Sequence, residues 1–178
     1  KGTFSIKVSG KGENELPTDA DNLVYKSFCQ VFEKIGEPIP EVAFECVNQI
    51  PLTRGMGSSS AALLGGLMSG NALAGFPLSI PEILNIGAKI ENHPDNVAPA
   101  LLGGVQIGIY DQDELITASV TFPEDLKVVL YVPNQIMPTD QARNILGPKV
   151  ARKEAVYNIG RAALLVQSLI SGDLHNLK

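Results

Sequence analysis

The segment from Ile50 to Gly75, IPLTRGMGSSSAALLGGLMSGNALAG, limits the possible folds more than any other part of the chain. Gly55 and Gly57 flank a methionine, three serines follow, and then comes a run of small and apolar residues. Glycine tolerates positive φ and lets other groups approach the main chain. A helix that starts in such a stretch presents unpaired amides and the positive end of its dipole, a combination suited to an anion. Serine hydroxyls add ligands for phosphate oxygens or for Mg²⁺. Gly65, Gly66 and Gly70 inside the helix each cost roughly 1 kcal/mol relative to alanine. That cost is offset where the helix must lie close against a neighbour. The same pattern also suits a glycine-rich turn ahead of a small-residue core helix. It is not a Walker A loop, because no lysine occurs between Leu52 and Lys89. Nor is it a GxSxG nucleophile elbow, since no serine here has glycines at both −2 and +2.

The flanking segments alternate between periods of two and of about 3.6. Phe4, Ile6 and Val8 predict a half-buried strand. Val24, Phe28, Val31, Phe32 and Ile35 then share one helical face, with Thr18 or Asp19 as N-cap and Gly36 as terminator. EVAFECVNQI returns to alternation, placing Val42, Phe44, Cys46 and Ile50 on one side. Ser79 and Glu82 form a capping box for a helix that turns Ile83, Ile86 and Ile90 inward, and Pro94 disfavours helical geometry at His93. GGVQIGIY and LKVVLYVP predict two further strands, the second well buried. A last helix is expected from about Lys149 to Ser171, capped by Gly172. Strands mixed with helices in no strict βαβ order indicate an α+β fold.

Composition excludes several classes. With 178 residues, 44% hydrophobic and 19% charged, the chain can bury a sizeable core. A net charge of −5 without a basic cluster argues against a nucleic-acid partner. The longest apolar stretch, Ala61 to Ala74, is interrupted by Ser69, Gly70 and Asn71 and is too short to span a bilayer. Cys29 and Cys46 form no CxxC and read as buried thiols in a reducing compartment more readily than as a disulfide. A cytoplasmic protein without membrane partners is expected. The chain lacks an initiator methionine, opens directly on a strand pattern and stops just after a helix, which suggests a fragment.

PLTRGMGSSSAA, from Pro51, resembles the phosphate-binding motif P-x-x-x-G-[LM]-G-S-S-A-A of the superfamily of galactokinase, homoserine kinase, mevalonate kinase and phosphomevalonate kinase. Pro51, Gly55, Gly57, Ser58 and Ser59 fall in register, and DNLVYKSF resembles the N-L-V helix start of these kinases. ENHPDNVAPALLGGVQIG, from Glu91, is similar to the E-G-H-P-D-N-V-A-P-A-x-x-G-G stretch of homoserine kinases. PTDQARNILGPKVARKEAVYNIGRAALL resembles their T-x-x-A-R-x-x-L and S-R-x-x-A-V-x-N segments.

The resemblance implies a fold: an N-terminal domain like the second domain of ribosomal protein S5 over residues 1–125, then the start of a ferredoxin-like domain over 126–178. It also implies roles. Pro51, Leu52, Thr53, Arg54, Gly55, Met56, Gly57, Ser58, Ser59, Ser60 and Ala61 would hold ATP. Ser59 and Glu91 would bind Mg²⁺, which takes few oxygen ligands from protein. His93, Asp95, Asn96, Thr139 and Arg143 would line the substrate pocket for L-homoserine. A carboxylate beside an amide suits an ammonium group, and a guanidinium suits a carboxylate or a transferring phosphoryl group. Asp95 and Arg143 are therefore the catalytic candidates. The implied activity is ATP-dependent phosphorylation of the homoserine side-chain hydroxyl, on the route to threonine, by a possible homodimer. A mevalonate-type or diphosphomevalonate-type kinase of the same superfamily and a non-catalytic binding relative are the alternatives. A serine hydrolase built from Ser58 to Ser60 is disfavoured because His93 and Asp95 lie only two apart. The family's N-terminal P-x-x-x-x-N-L-G-x-G-F-D segment and the rest of its second domain have no counterpart here. The polypeptide as given is therefore not expected to catalyse alone.

Overall fold

A computed structural model describes residues 4–112, 114–132, 145, 147 and 149–177. β1 (Ser5–Gly10) and β2 (Ala43–Asn48) pair in parallel, Ser5 opposite Ala43 and Gly10 opposite Asn48. Parallel neighbours require a crossover, and α1 (Leu23–Ile35) supplies it. Next come α2 (Ser58–Leu73), α3 (Ile80–Glu91) and the short α4 (Val97–Leu102). An antiparallel hairpin follows, β3 (Val105–Asp111) with β4 (Glu114–Val120), Val105 facing Val120. The mixture of one parallel pair, one hairpin and packed helices is the α+β arrangement expected from the alternating periods.

The core lies where α1, α2, α3 and α4 meet. Phe28, Val31 and Phe32 from α1 pack with Leu63, Leu64 and Leu67 from α2, and Ile83, Leu84, Val97 and Ala98 close the far side. Phe28 meets Phe44 edge to face, with ring centroids 5.2 Å apart, which ties α1 to β2. The glycines of α2 explain how the two helices approach. A Cβ on Gly66 would lie 2.1 Å from the Val24 carbonyl oxygen, and one on Gly70 would lie 2.9 Å from that of Phe28. Gly65 differs, because a Cβ there meets nothing within 4 Å. Two of the three helix glycines therefore serve close packing and the third does not.

Helix ends follow local chemistry, with two corrections. The cap of α1 is Asn22 rather than Thr18 or Asp19: its Oδ1 accepts from the Val24 amide at 2.9 Å and its Nδ2 donates to the Pro17 carbonyl at 2.6 Å. Asp19 instead accepts from the Asp21 amide within the preceding turn. Gly36 ends α1 with φ 73°, as expected. The capping box of α3 forms, and the Glu82 carboxylate accepts from both the amide and the hydroxyl of Ser79, at 2.9 and 2.6 Å. Those bonds hold its pKa below the ordinary glutamate value. On α3 the inward face is Ile83, Leu84, Gly87 and Ala88, whereas Ile90 is 37% exposed. Buried Asn71 pins the connection between α2 and α3, its Nδ2 donating to the Leu78 carbonyl and its Oδ1 accepting from the Leu78 amide, both at 2.9 Å. Cys29 and Cys46 are free thiols, and burial pushes both pKa values up.

The C-terminal part departs most from expectation. The apolar run Leu126–Val132 forms no regular strand, and Val129 is 92% exposed. Among the described residues no strand pairs with it, and an extended segment needs a neighbour for its backbone groups before its pattern can become a strand. The final helix, α5, spans Arg152–Ser171 and starts three residues later than the predicted Lys149, with Gly172 at φ 74° after it. Only Ser168 and Leu169 of α5 are buried. A 3₁₀ turn over Leu174–Leu177 follows.

Candidate active site

The glycine-serine segment folds as its composition predicts. Between β2 and α2 the chain passes through left-handed backbone at Thr53 (φ 53°), Gly55 (φ 64°) and Gly57 (φ 71°). Thr53 pays a steric penalty there that the two glycines avoid. Asn48 anchors the start of the loop, its amide donating to the Lys11 and Ile50 carbonyls and its Oδ1 accepting from the Ile50 amide. Gly57 is the N-cap residue of α2, and its carbonyl accepts the first helical bond from Ala61 at 2.9 Å. The amides of the first turn have no partner inside the helix, and they open toward the loop.

The facing wall is the end of α3 and the turn after it. Asn92 stops α3 in left-handed backbone (φ 61°), which swings His93 and Pro94 away from the helix axis. Pro94 packs closely under the hairpin: a Cβ on Gly108 would lie 3.1 Å from the Pro94 ring. The Glu91 carboxylate reaches across to the head of α2. Ser59 Oγ donates to Glu91 Oε1 and Ser60 Oγ donates to Glu91 Oε2. His93 Nδ1 lies against Asp95 Oδ1, with the imidazole largely buried and the Asp95 side chain 63% exposed. Asn96 caps α4 and approaches the backbone of Gly57, so that a Cβ on that glycine would lie 3.8 Å from Asn96 Cβ.

Together these walls enclose a cleft of about 430 Å³. Of the predicted phosphate-loop residues, Pro51, Thr53, Arg54, Gly55, Met56, Gly57, Ser58 and Ser59 line it, while Leu52, Ser60 and Ala61 do not. Glu91, His93 and Asn96 line the opposite side, and Asp95, against His93, does not line the cleft. Thr139 and Arg143 lie outside the described residues. Sequence reasoning missed Leu23, Leu63 and Asn92, and it assigned Ile90 to the core although Ile90 lines this cleft. The signal for Asn92 was present, because an asparagine directly before His-Pro is a good left-handed helix stop. Leu23, at the N-terminus of α1, also borders a larger, mainly apolar cleft of about 840 Å³ that shares Ser58 with the first.

The donor set says what the cleft can hold. Among the described residues no group of three or more His, Cys, Asp or Glu side chains is arranged to hold a metal ion. One carboxylate and one hydroxyl are too few for an all-protein metal cage, but they fit Mg²⁺, which keeps waters and takes phosphate oxygens as its other ligands. Among the described lining residues Arg54 is the only permanent cation, and its guanidinium donates to the Thr53 carbonyl and hydroxyl at 3.3 Å. An anion in the cleft would therefore meet mainly backbone amides and the helix dipole.

Known proteins resemble this chain in sequence and fold. Residues 22–104 match the family model described as GHMP kinases N terminal domain. The homoserine kinase of Desulfitobacterium hafniense is 44% identical over 176 residues, which are 99% of this chain and 59% of that relative. The homoserine kinase of Caldanaerobacter subterraneus subsp. tengcongensis is 40% identical over 178 residues, 100% of this chain and 57% of that one. A crystal structure of homoserine kinase from Cytophaga hutchinsonii superposes with a TM-score of 0.77 at 29% identity, covering 96% of this chain and 56% of that one. The chain thus spans a little over half the length of the curated relatives it matches. No helix among the described residues is long and apolar enough to cross a membrane. The matched family model, with shared sequence and shared fold, identifies residues 22–104 of this chain as a GHMP kinase N-terminal domain.

Proposed function

We propose that the protein transfers the γ-phosphoryl group of ATP to the side-chain hydroxyl of L-homoserine, giving O-phospho-L-homoserine and ADP in the cytoplasm, on the route to threonine. One observation carries the reading. A lysine-free glycine loop at a helix N-terminus faces a carboxylate and a histidine-asparagine turn across a single cleft. The loop amides from Gly55 to Ser59 take the phosphate oxygens. The adjoining apolar cleft, reached past Leu23 and Ser58, takes the base and sugar. Ser59 and Glu91 would hold Mg²⁺, which when bound neutralises charge on those oxygens. Asp95 and Asn96, with His93 nearby, orient the ammonium group of the amino acid; as the family resemblance implies, Thr139 and Arg143 face the substrate, and the Arg143 guanidinium takes its carboxylate.

The substrate oxygen forms a bond to the γ-phosphorus as the bridging bond to the β-phosphate breaks, and the hydroxyl proton leaves to solvent. Such a transfer depends on positioning and electrostatics more than on covalent work by the protein. Asp95 is a poor base for an alcohol, because its carboxylate already faces His93 and would also face the substrate ammonium group. Asp95→Asn in a protein spanning the full length of its relatives is therefore expected to raise KM for homoserine at least as much as it lowers kcat. A pure kcat loss would instead identify Asp95 as the proton acceptor.

The deciding experiment is ADP release by that full-length protein with homoserine, mevalonate and galactose supplied in turn. Turnover with homoserine alone is expected. Turnover with mevalonate and none with homoserine would overturn the substrate, and no nucleotide binding at all would overturn the kinase reading.

A further inference from the structure

Ser60 sits inside the phosphate-loop motif but does not face the cleft. It is fully buried, whereas Ser58 is half-buried and Ser59 exposed, and only those two line the cleft wall. A hydroxyl placed behind the wall cannot meet a phosphate oxygen. A buried hydroxyl also needs a partner to offset its lost hydration, and the partner here is the second oxygen of Glu91. Successive residues of a helix project about 100° apart at 3.6 residues per turn, so Ser59 and Ser60 can each take a different oxygen of the same carboxylate. The terminal torsion of a glutamate is broad and weakly preferred. With Ser59 as its one anchor, the carboxylate of Glu91 would keep a single oxygen fixed at the end of α3 and leave the other unheld.

We propose that Ser60 is a positioning residue: its buried hydroxyl clamps Glu91 Oε2, which leaves Oε1 beside Ser59 and turned to the cleft, where a divalent cation and its nucleotide would bind. The inference rests on the reading of Ser59 and Glu91 as cation ligands given above. Ser60 thus moves from the nucleotide-contacting group to the layer behind it. Groups that orient a metal ligand typically change metal affinity about 10- to 100-fold when they are removed.

The test is Mn²⁺ binding, followed by electron paramagnetic resonance, in the full-length protein saturated with a nonhydrolysable ATP analogue. S60A is expected to weaken Mn²⁺ at least about tenfold, while the analogue's affinity without metal stays unchanged. E91Q should weaken Mn²⁺ at least as much, and the E91Q S60A double variant should be no weaker than E91Q, because Ser60 acts only through Glu91. An S60A protein that binds Mn²⁺ as wild type does, beside a weakened E91Q, would overturn the positioning role and leave the kinase reading standing. Multiplied losses in the double variant would overturn it too. Failure of the wild-type protein to take up the metal-nucleotide pair would overturn both readings, a pattern distinct from the other two. If S60A does not fold, S60C fills the site with a poor donor and serves in its place.

Discussion

Two stretches of this chain are rich in apolar residues, yet they are opposites in space. In the layer of α1, α2 and α3, Val31, Leu67 and Ile83 have no exposed surface. From Leu126 to Ser171, Val129, Tyr131, Val156 and Ile159 are all exposed. The difference is not one of composition. In the first region each apolar face has another opposite it, brought close by Gly66 and Gly70. In the second, among the described residues, only the last turns of α5 find cover, at Ser168 and Leu169. Hydrophobic periodicity states which face wants burial, and the partner decides whether burial happens.

Substitutions can break or sharpen this contrast. Leu67→Ala should cost about 2–5 kcal/mol in urea unfolding, since it empties a site at the centre of the layer. A cost under about 1 kcal/mol would mean the layer is loosely packed. A pair of neighbouring glycines gives a sharper comparison. Gly66→Ala should destabilise by about 1–3 kcal/mol because the new methyl would meet the Val24 carbonyl. Gly65→Ala, one residue away and facing open space, should stabilise by roughly 0.5–1 kcal/mol through helix propensity. Equal effects at the two positions would contradict the packing described for α2. Asn22→Ala, which removes the cap of α1 and its tie to Pro17, should lower stability by about 1 kcal/mol in thermal denaturation. Val129→Ser should change stability by less than about 0.5 kcal/mol. A larger loss would show that the exposed run is covered in solution.

What could be read from sequence tracked how local the cause was. The left-handed glycines at 55 and 57, the Gly36 and Gly172 stops and the Ser79–Glu82 box depend on a few neighbouring residues, and all appear as expected. The opposition of Glu91 to the serine loop depends on where α3 ends, and family resemblance supplied it where spacing could not. The errors share a cause in tertiary placement. Asn22 displaced Thr18 and Asp19 as cap because it reaches the Pro17 carbonyl as well as the helix. Ile90 left the core because at its position near the end of α3 it faces the cleft. Ser60 carries the same residue type as its two predecessors, so only the rotation of α2 separates its role from theirs.

The pair of hydrogen bonds between the Asn71 side-chain amide and the main chain of Leu78 has a mechanical consequence. It fastens the far end of the connector to the helix that precedes it, with the geometry one strand residue offers its neighbour. The helix bearing the serines and the helix bearing Glu91 are thereby tied at the end remote from the cleft. The arc from Thr53 to Gly57, with left-handed backbone at three of its five residues, lies outside that fastening.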